Sequence, residues 1–398
     1  QFRYSRMSTY QIRLRRKLEK RYLHGHDWIF SNELEPDFKE IPAGSLCDAL
    51  TADGKWVGRG YINPSSLITF RVLTRIDEEI NIDFFRKKLT AAINLRKKII
   101  QTSDSYRVVY AESDGLPGLL VDLYNDVVSV QINSAGLETQ KEIIIQLLDE
   151  LLSPKAIVLR NDHYHRSLEN LPEEQRMAKG TEEDAKTMMK EHGLLYEVDV
   201  LSGQKTGLYL DQRDNRLWFK TLIQKGDRVF DGFCNEGGFA LNAKAAEAGE
   251  VIAIDIAEHV LERARANSIR NELEVEFRKA DLMKVGLDLK EEVGLFDVVN
   301  LDPPNFTRNR KTVPVALKGY EKMHRMGISI TKPGGFLVTA SCSHHITSEA
   351  FVDTVRVAAY KEGRTLKLIH KSMHPADHPV NPNMPETEYL KLFAFQVV

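Results

Sequence analysis

Apolar residues in the first 75 positions come in short runs cut by turn signals. Trp28-Ile-Phe30, Trp56-Val57, Tyr61-Ile62 and residues 67–73 are β-rich, while Pro42-Ala-Gly44 and Asp53-Gly54 read as turns. The pattern predicts a compact β-barrel of about 70 residues, the first domain at 1–78. From Asp83 the spacing of Phe84, Leu89, Ile93 and Ile99 becomes helical. Strand-like runs follow at 108–110, 118–121 and 127–132, then a helix at 137–152 and a strand at 156–159. This predicts a central α+β domain, 79–192. Within it the polar stretch 172–191 reads as a loop or weak helix, and 194–200 and 208–210 as strands.

Beyond about Arg216, in the last domain (193–398), strand and helix alternate. Strands are expected at 228–230, 251–254, 274–277, 297–301 and 336–339, with helices at 239–248, after Asp255, and at 320–330. Gly249 reads as the C-cap of the 239–248 helix. Such alternation implies an α/β, doubly wound, mostly parallel Rossmann-like sheet. Ligands of these sheets sit beyond the carboxyl ends of the strands, near the point where strand order reverses. Asp231, Asp255, Asp281, Asp302 and Cys342 all fall at predicted carboxyl ends.

The first of these loops, Asp231-Gly-Phe-Cys-Asn-Glu-Gly-Gly-Phe239, matches neither phosphate-binding pattern. Cys234 stands where a dinucleotide loop needs its second glycine, and Gly238-Phe239 replace the Lys-Ser/Thr of a P-loop. No cation neutralises a polyphosphate here. Asp231 and Glu236 suit a cationic ligand instead, and S-adenosylmethionine carries both a sulfonium and an ammonium. Asp255 is placed to accept from ribose hydroxyls, and Asp281 with Leu282 to receive the adenine edge. The cofactor set read this way is Asp231, Gly232, Phe233, Glu236, Gly237, Asp255, Ile256, Asp281, Leu282 and Asp302. A strand-end Asp is also a common helix N-cap.

Asp302-Pro-Pro-Asn-Phe306 is a stiff loop, because two successive prolines lock φ and remove donors. Pro303, Pro304 and Phe306 could hold a planar base, Phe306 by stacking. Cys342, in Thr339-Ala-Ser-Cys-Ser-His-His345, follows the next strand. A thiolate adding at C6 of cytosine makes C5 nucleophilic enough to accept a methyl group. Cys47 and Cys234 read as buried small hydrophobes.

Three cysteines exclude a disulfide framework and lack C-x-x-C spacing, which fits a reducing, cytoplasmic setting. His24/His26 and His163/His165 have no evident third partner, so no metal is expected. No long apolar run or leader is expected either. The net charge of −2 hides an asymmetry: residues 1–100 hold 19 Lys and Arg against 12 Asp and Glu. Near the start Arg3, Arg6, Arg13, Arg15, Arg16, Lys17, Lys20 and Arg21 face one acid, Glu19. Arg13, Arg15, Arg16 and Lys17 therefore suggest a polyanion-facing end, with a solvated arm as the alternative.

These residues resemble a known family. The segment 18–31 is similar to a PUA-domain start, and 206–216, Leu301-Asp-Pro-Pro-Asn-Phe306, Ser341-Cys-Ser343 and Ala376-Asp-His-Pro-Val380 resemble the bacterial large-subunit ribosomal RNA methyltransferase I-like family. That resemblance implies an N-terminal PUA domain, a class I methyltransferase domain, S-adenosylmethionine as cofactor, ribosomal RNA as partner, cytosine C5 as target and a homodimer. It implies Cys342 as nucleophile and Asp302 beside the methionine moiety and the base. It also implies that Asp211, Gln212 and Arg213 line the pocket, where Arg213 could pair the cofactor carboxylate. Asn305, where the family commonly has Lys, is a departure, as are Asn235 and Glu236 in the cofactor loop. Methylation of guanine N7 or an exocyclic amine, a non-catalytic RNA-binding module and a small-molecule methyltransferase are the competing readings.

Overall fold

The computed structural model describes residues 10–18, 20–203, 209–307 and 309–398. Arg3, Arg6, Glu19 and residues 206–208, named above, lie outside the described residues. The chain divides into two units: residues 1–189, 198–208 and 376–387 form one, and 190–197, 209–375 and 388–398 the other.

In the first unit, the sheet expected near the N-terminus has five strands in the order Tyr10–Arg13, Leu46–Leu50, Trp56–Ile62, Phe70–Thr74, Trp28–Ile29. Its first pair is parallel and the rest antiparallel. Ile12, Ile29, Ala49, Val57, Phe70 and Val72 fill its core. The helix Ile82–Ile99 begins at Asn81, whose side chain accepts the N–H groups of Asp83 and Phe84. It packs with the helix Lys141–Leu152 on a second sheet, ordered Glu174–Lys179, Ala156–Asn161, Val127–Ile132, Leu119–Tyr124, Tyr106–Tyr110.

The 172–191 stretch is not a loop. It supplies the edge strand Glu174–Lys179 and the hairpin strand Lys186–Glu191. Its polarity misled because an edge strand is protected by charge rather than by burial. Glu174 meets Lys141 at 2.7 Å and Lys179 meets Asp149 at 2.6 Å. Residues 376–387 also pack in this unit. The Asp377 carboxylate accepts the Arg107 N–H at 2.8 Å, and its carbonyl accepts from fully buried Arg96. Arg96 in turn grips Asp114 at 2.6 and 2.8 Å.

The second unit is built on a seven-stranded sheet ordered Glu276–Lys279, Glu250–Asp255, Arg228–Gly232, Phe296–Leu301, Thr331–Ser341, Lys391–Val397, Leu366–Ser372. The first five strands run parallel, and Lys391–Val397 runs antiparallel to both its neighbours. Phe230, Ile252, Val299, Leu301, Tyr320 and Leu337 belong to its main core.

Several expectations need correction here. Residues 210–212 form a 3-10 turn rather than a strand, and a helix, Arg213–Leu222, follows. Gly249 does not cap the Gly238–Ala245 helix; Glu247 takes the left-handed turn at φ 66°. Gly249 is needed because a Cβ there would lie 2.7 Å from the Gly226 carbonyl oxygen. The 320–330 helix starts earlier, at Val313. Pro333-Gly-Gly335 lies inside the Thr331–Ser341 strand, where the pairing register jumps between Phe296 and Val298 and absorbs the extra residues.

Candidate functional site

Parallel register lines up the strand ends. Gly232 pairs with Ile254 on one side and Leu301 on the other, and Leu301 pairs with Thr339. Strand order reverses between Arg228–Gly232 and Phe296–Leu301, so the crevice expected of such a sheet opens beyond Gly232. Asp231, Asp255, Asp302 and Cys342 are thereby gathered along one edge.

Asp231 is buried; its carboxylate accepts the Ala240 N–H and the Asn300 side-chain amide, both at 2.9 Å. Burial pushes its carboxyl up to about 7, with Asp302 and Asp255 adding to the rise. Beyond it the chain turns sharply, with Phe233, Asn235 and Gly237 all at positive φ. Gly237, at φ 83°, starts the following helix in a conformation that disfavours a side chain. Asp255 clamps this turn, accepting the Asn235 and Ala257 N–H groups at 3.0 Å each. Ile256, next to it, is 59% exposed although apolar. Asp281 caps the Leu282–Val285 helix by accepting the Met283 N–H, and Leu282 is buried.

Glu236 is buried against Arg263 at 3.0 Å, so its charge already has a partner. Burial raises its carboxyl, and Arg263 opposes the rise. Arg213 is 1% exposed and paired with Asp214 at 3.1 Å. Gln212 donates to Asp302 at 3.0 Å and accepts from Asn215 at 2.6 Å, and Ser372 donates to Asn215 at 2.7 Å. This chain of hydrogen bonds fixes the Asp302 carboxylate. Asp211 accepts from the Tyr389 hydroxyl at 2.7 Å.

In the proline loop Pro303 is buried and Pro304 exposed, and Phe306 lies with its ring centroid 4.6 Å from that of Tyr320. Asn305 accepts the Ser343 hydroxyl at 2.7 Å. The Tyr320 hydroxyl meets Ser341 and Ser343 at 2.9 and 3.0 Å, so both neighbours of Cys342 are pinned. Burial pushes the Tyr320 phenol up to about 12, with Cys342 and Asp302 also raising it. Cys342 itself is half-buried, whereas Cys47 and Cys234 are buried as expected. Burial raises the Cys47 thiol to about 12 and drives Cys234 upward too.

Lys391, Tyr389 and Tyr320 were not singled out from sequence, and Ser343 and Asn215 stood only inside segments that carried the resemblance. Lys391 had a signal: it is the one charge within the run Leu390-Lys-Leu-Phe-Ala-Phe395. Arg13, Arg15, Arg16 and Lys17 are exposed in the first unit, and Arg15 also donates to the Leu34 carbonyl at 2.8 Å. Among the described residues no helix is long and apolar enough to cross a membrane, and no group of His, Cys, Asp or Glu is arranged to hold a metal ion.

The crevice fits S-adenosylmethionine. Three strand-end carboxylates complement a cation, an exposed apolar side chain adjoins Asp255, and no Lys or Arg lies in the 231–238 loop to favour phosphate.

The comparisons agree with this fit. A PUA-like domain model matches residues 12–75, and an S-adenosylmethionine-dependent methyltransferase model matches 176–390. Ribosomal RNA large subunit methyltransferase I of Shigella dysenteriae is 35% identical over 96% of this chain and 97% of its own. The protein of that name from Tolumonas auensis is 36% identical over 97% of this chain and 98% of its own. The crystal structure of SMU.776 complexed with SAH has the same fold, with TM-score 0.85 at 19% identity, covering 97% of this chain and 100% of that one. With a whole-length match at this identity, a PUA-like sheet and a class I methyltransferase sheet, the chain belongs to the ribosomal RNA large subunit methyltransferase I family of S-adenosylmethionine-dependent enzymes.

Proposed function

We propose that this protein methylates C5 of a cytosine in large-subunit ribosomal RNA, with Cys342 as the attacking thiolate. The RNA substrate is supported by the names of the relatives and by the PUA-like domain. The observation that carries the C5 chemistry is Cys342 itself. It is the only half-buried thiol of the three, at the carboxyl end of a central strand beside the Asp302 loop.

S-adenosylmethionine supplies an electrophilic sulfonium methyl when bound. Asp231, Asp255, Ile256, Asp281 and Leu282 would hold it, and the Gln212-fixed carboxylate of Asp302 would orient the base next to it. The Cys342 sulfur forms a bond to C6, which places electron density on C5 and lets it take the methyl. Loss of the C5 proton to a base then breaks the S–C6 bond and returns Cys342 as a thiolate. Pro303, Pro304 and Phe306 would bound the base, and Arg13, Arg15, Arg16 and Lys17 would hold RNA phosphates. The same reading includes a cytoplasmic homodimer and three domains, 1–78, 79–192 and 193–398.

Methyl transfer from labelled S-adenosylmethionine to ribosomal RNA tests this. Cys342→Ala should lower turnover by at least about a thousandfold while cofactor binding persists. Full turnover in that variant would overturn the C5 mechanism in favour of guanine N7 or an exocyclic amine, which need no thiolate.

A further inference from the structure

Lys391 is 8% exposed on the strand Lys391–Val397, between buried Leu390 and Leu392. The register places it opposite Ser341, one residue before Cys342. Its ammonium donates to the Ser343 carbonyl at 2.9 Å and the Tyr389 carbonyl at 3.2 Å. Carbonyls solvate an ammonium but do not neutralise it, and an uncompensated charge away from water is costly. Among the described residues, Cys342 and Glu388 act on it electrostatically, and Glu388 is solvent-exposed and therefore well screened. Cys342 is half-buried; the Tyr320 hydroxyl, bonded to Ser341 and Ser343, faces it, and the Asp302 carboxylate acts on the same Tyr320, so Lys391 must outweigh a nearby anion.

We propose that Lys391 is a positioning residue: fixed on the Ser343 and Tyr389 carbonyls, its ammonium is the counter-charge that holds Cys342 as a thiolate. This rests on Cys342 being the nucleophile. The same contact pins the Ser343 carbonyl and so the backbone that aims the sulfur. Burial pushes the Lys391 ammonium down to about 8, while Cys342 pulls it back up. That attraction is reciprocal, because a charge pair that favours the ammonium favours the thiolate equally.

Iodoacetamide alkylation of the full-length protein, followed across pH at the Cys342 peptide by mass spectrometry, reads the thiolate without requiring turnover. In the wild type the midpoint should lie below the ordinary thiol value of about 8.5. Lys391→Met should raise it by about one unit, slowing alkylation at neutral pH about tenfold, and Lys391→Arg should restore most of the rate. A wild-type midpoint at or above the ordinary value would overturn the proposal whether or not the variants fold. So would an unchanged midpoint in Lys391→Met. Failure of the nucleophile reading shows separately, as undiminished methyl transfer by Cys342→Ala.

Discussion

Asp231 is a carboxyl with almost no water around it, at 1% exposure, and burial holds it up near 7. Its protonation is therefore poised where buffers can move it. A cationic ligand favours the ionised form, so affinity for S-adenosylmethionine should rise as pH rises toward 7 and Asp231 loses its proton. Between about pH 5.5 and 7, below the range where α-amino groups titrate, the dissociation constant should fall about tenfold. Calorimetric titration checks this, and Asp231→Asn should flatten the dependence. A wild-type constant that stays level across the interval would place the cofactor charge elsewhere. The residue-scale contrast with Glu236 is instructive. Both acids were legible in the 231–238 loop, but nothing in the sequence indicated that Arg263, on the later helix Glu258–Arg270, neutralises one of them.

At the scale of elements, local pattern was enough for central strands buried on both faces. The Val127–Ile132 strand and the strand beginning at Ala156 lie where their apolar runs put them. It failed for Glu174–Lys179, a charged edge strand paired, among the described residues, only with Ala156–Asn161, and for Arg213–Leu222, where Leu208-Tyr-Leu210 suggested a strand that is a turn in its described part. That helix is anchored by a pair no pattern could show: Arg216 grips Glu191 through two bonds of 2.7 Å, and both side chains are buried. Arg216 also donates to the Tyr209 carbonyl at 3.0 Å. Removing one partner strands the other charge away from water. Arg216→Met alone should lower stability by about 3–5 kcal/mol in denaturant unfolding, and adding Glu191→Gln should recover much of the loss. Equal losses in the single and double variants would mean that the helix is held by its apolar face instead. The segment 206–216, which carried the family resemblance, thus includes at least one residue with a structural role.

At the scale of the whole molecule the charge asymmetry decides what kind of RNA contact is available. The net charge of −2 cannot attract a polyanion uniformly, so any electrostatic hold must come from local excess. Among the first 100 residues 19 bases oppose 12 acids, and several of the bases are already committed. Arg21 pairs with Glu33, Arg59 with Asp48 and Arg71 with Glu169, whereas Arg13, Arg16 and Lys17 lie exposed at the first strand and the turn after it. Each cation that neutralises a phosphate releases a counterion, so affinity for RNA should fall linearly on a log–log plot against salt. For a single-stranded target, neutralising Arg13, Arg15, Arg16 and Lys17 one at a time should flatten that slope by about 0.7 per residue. Filter binding of ribosomal RNA fragments across a salt series measures it. Arg15, part of whose donor capacity goes to the Leu34 carbonyl, should contribute least. If all four substitutions leave the slope unchanged, these side chains are a solvated face, and the phosphate contacts must come from other cations.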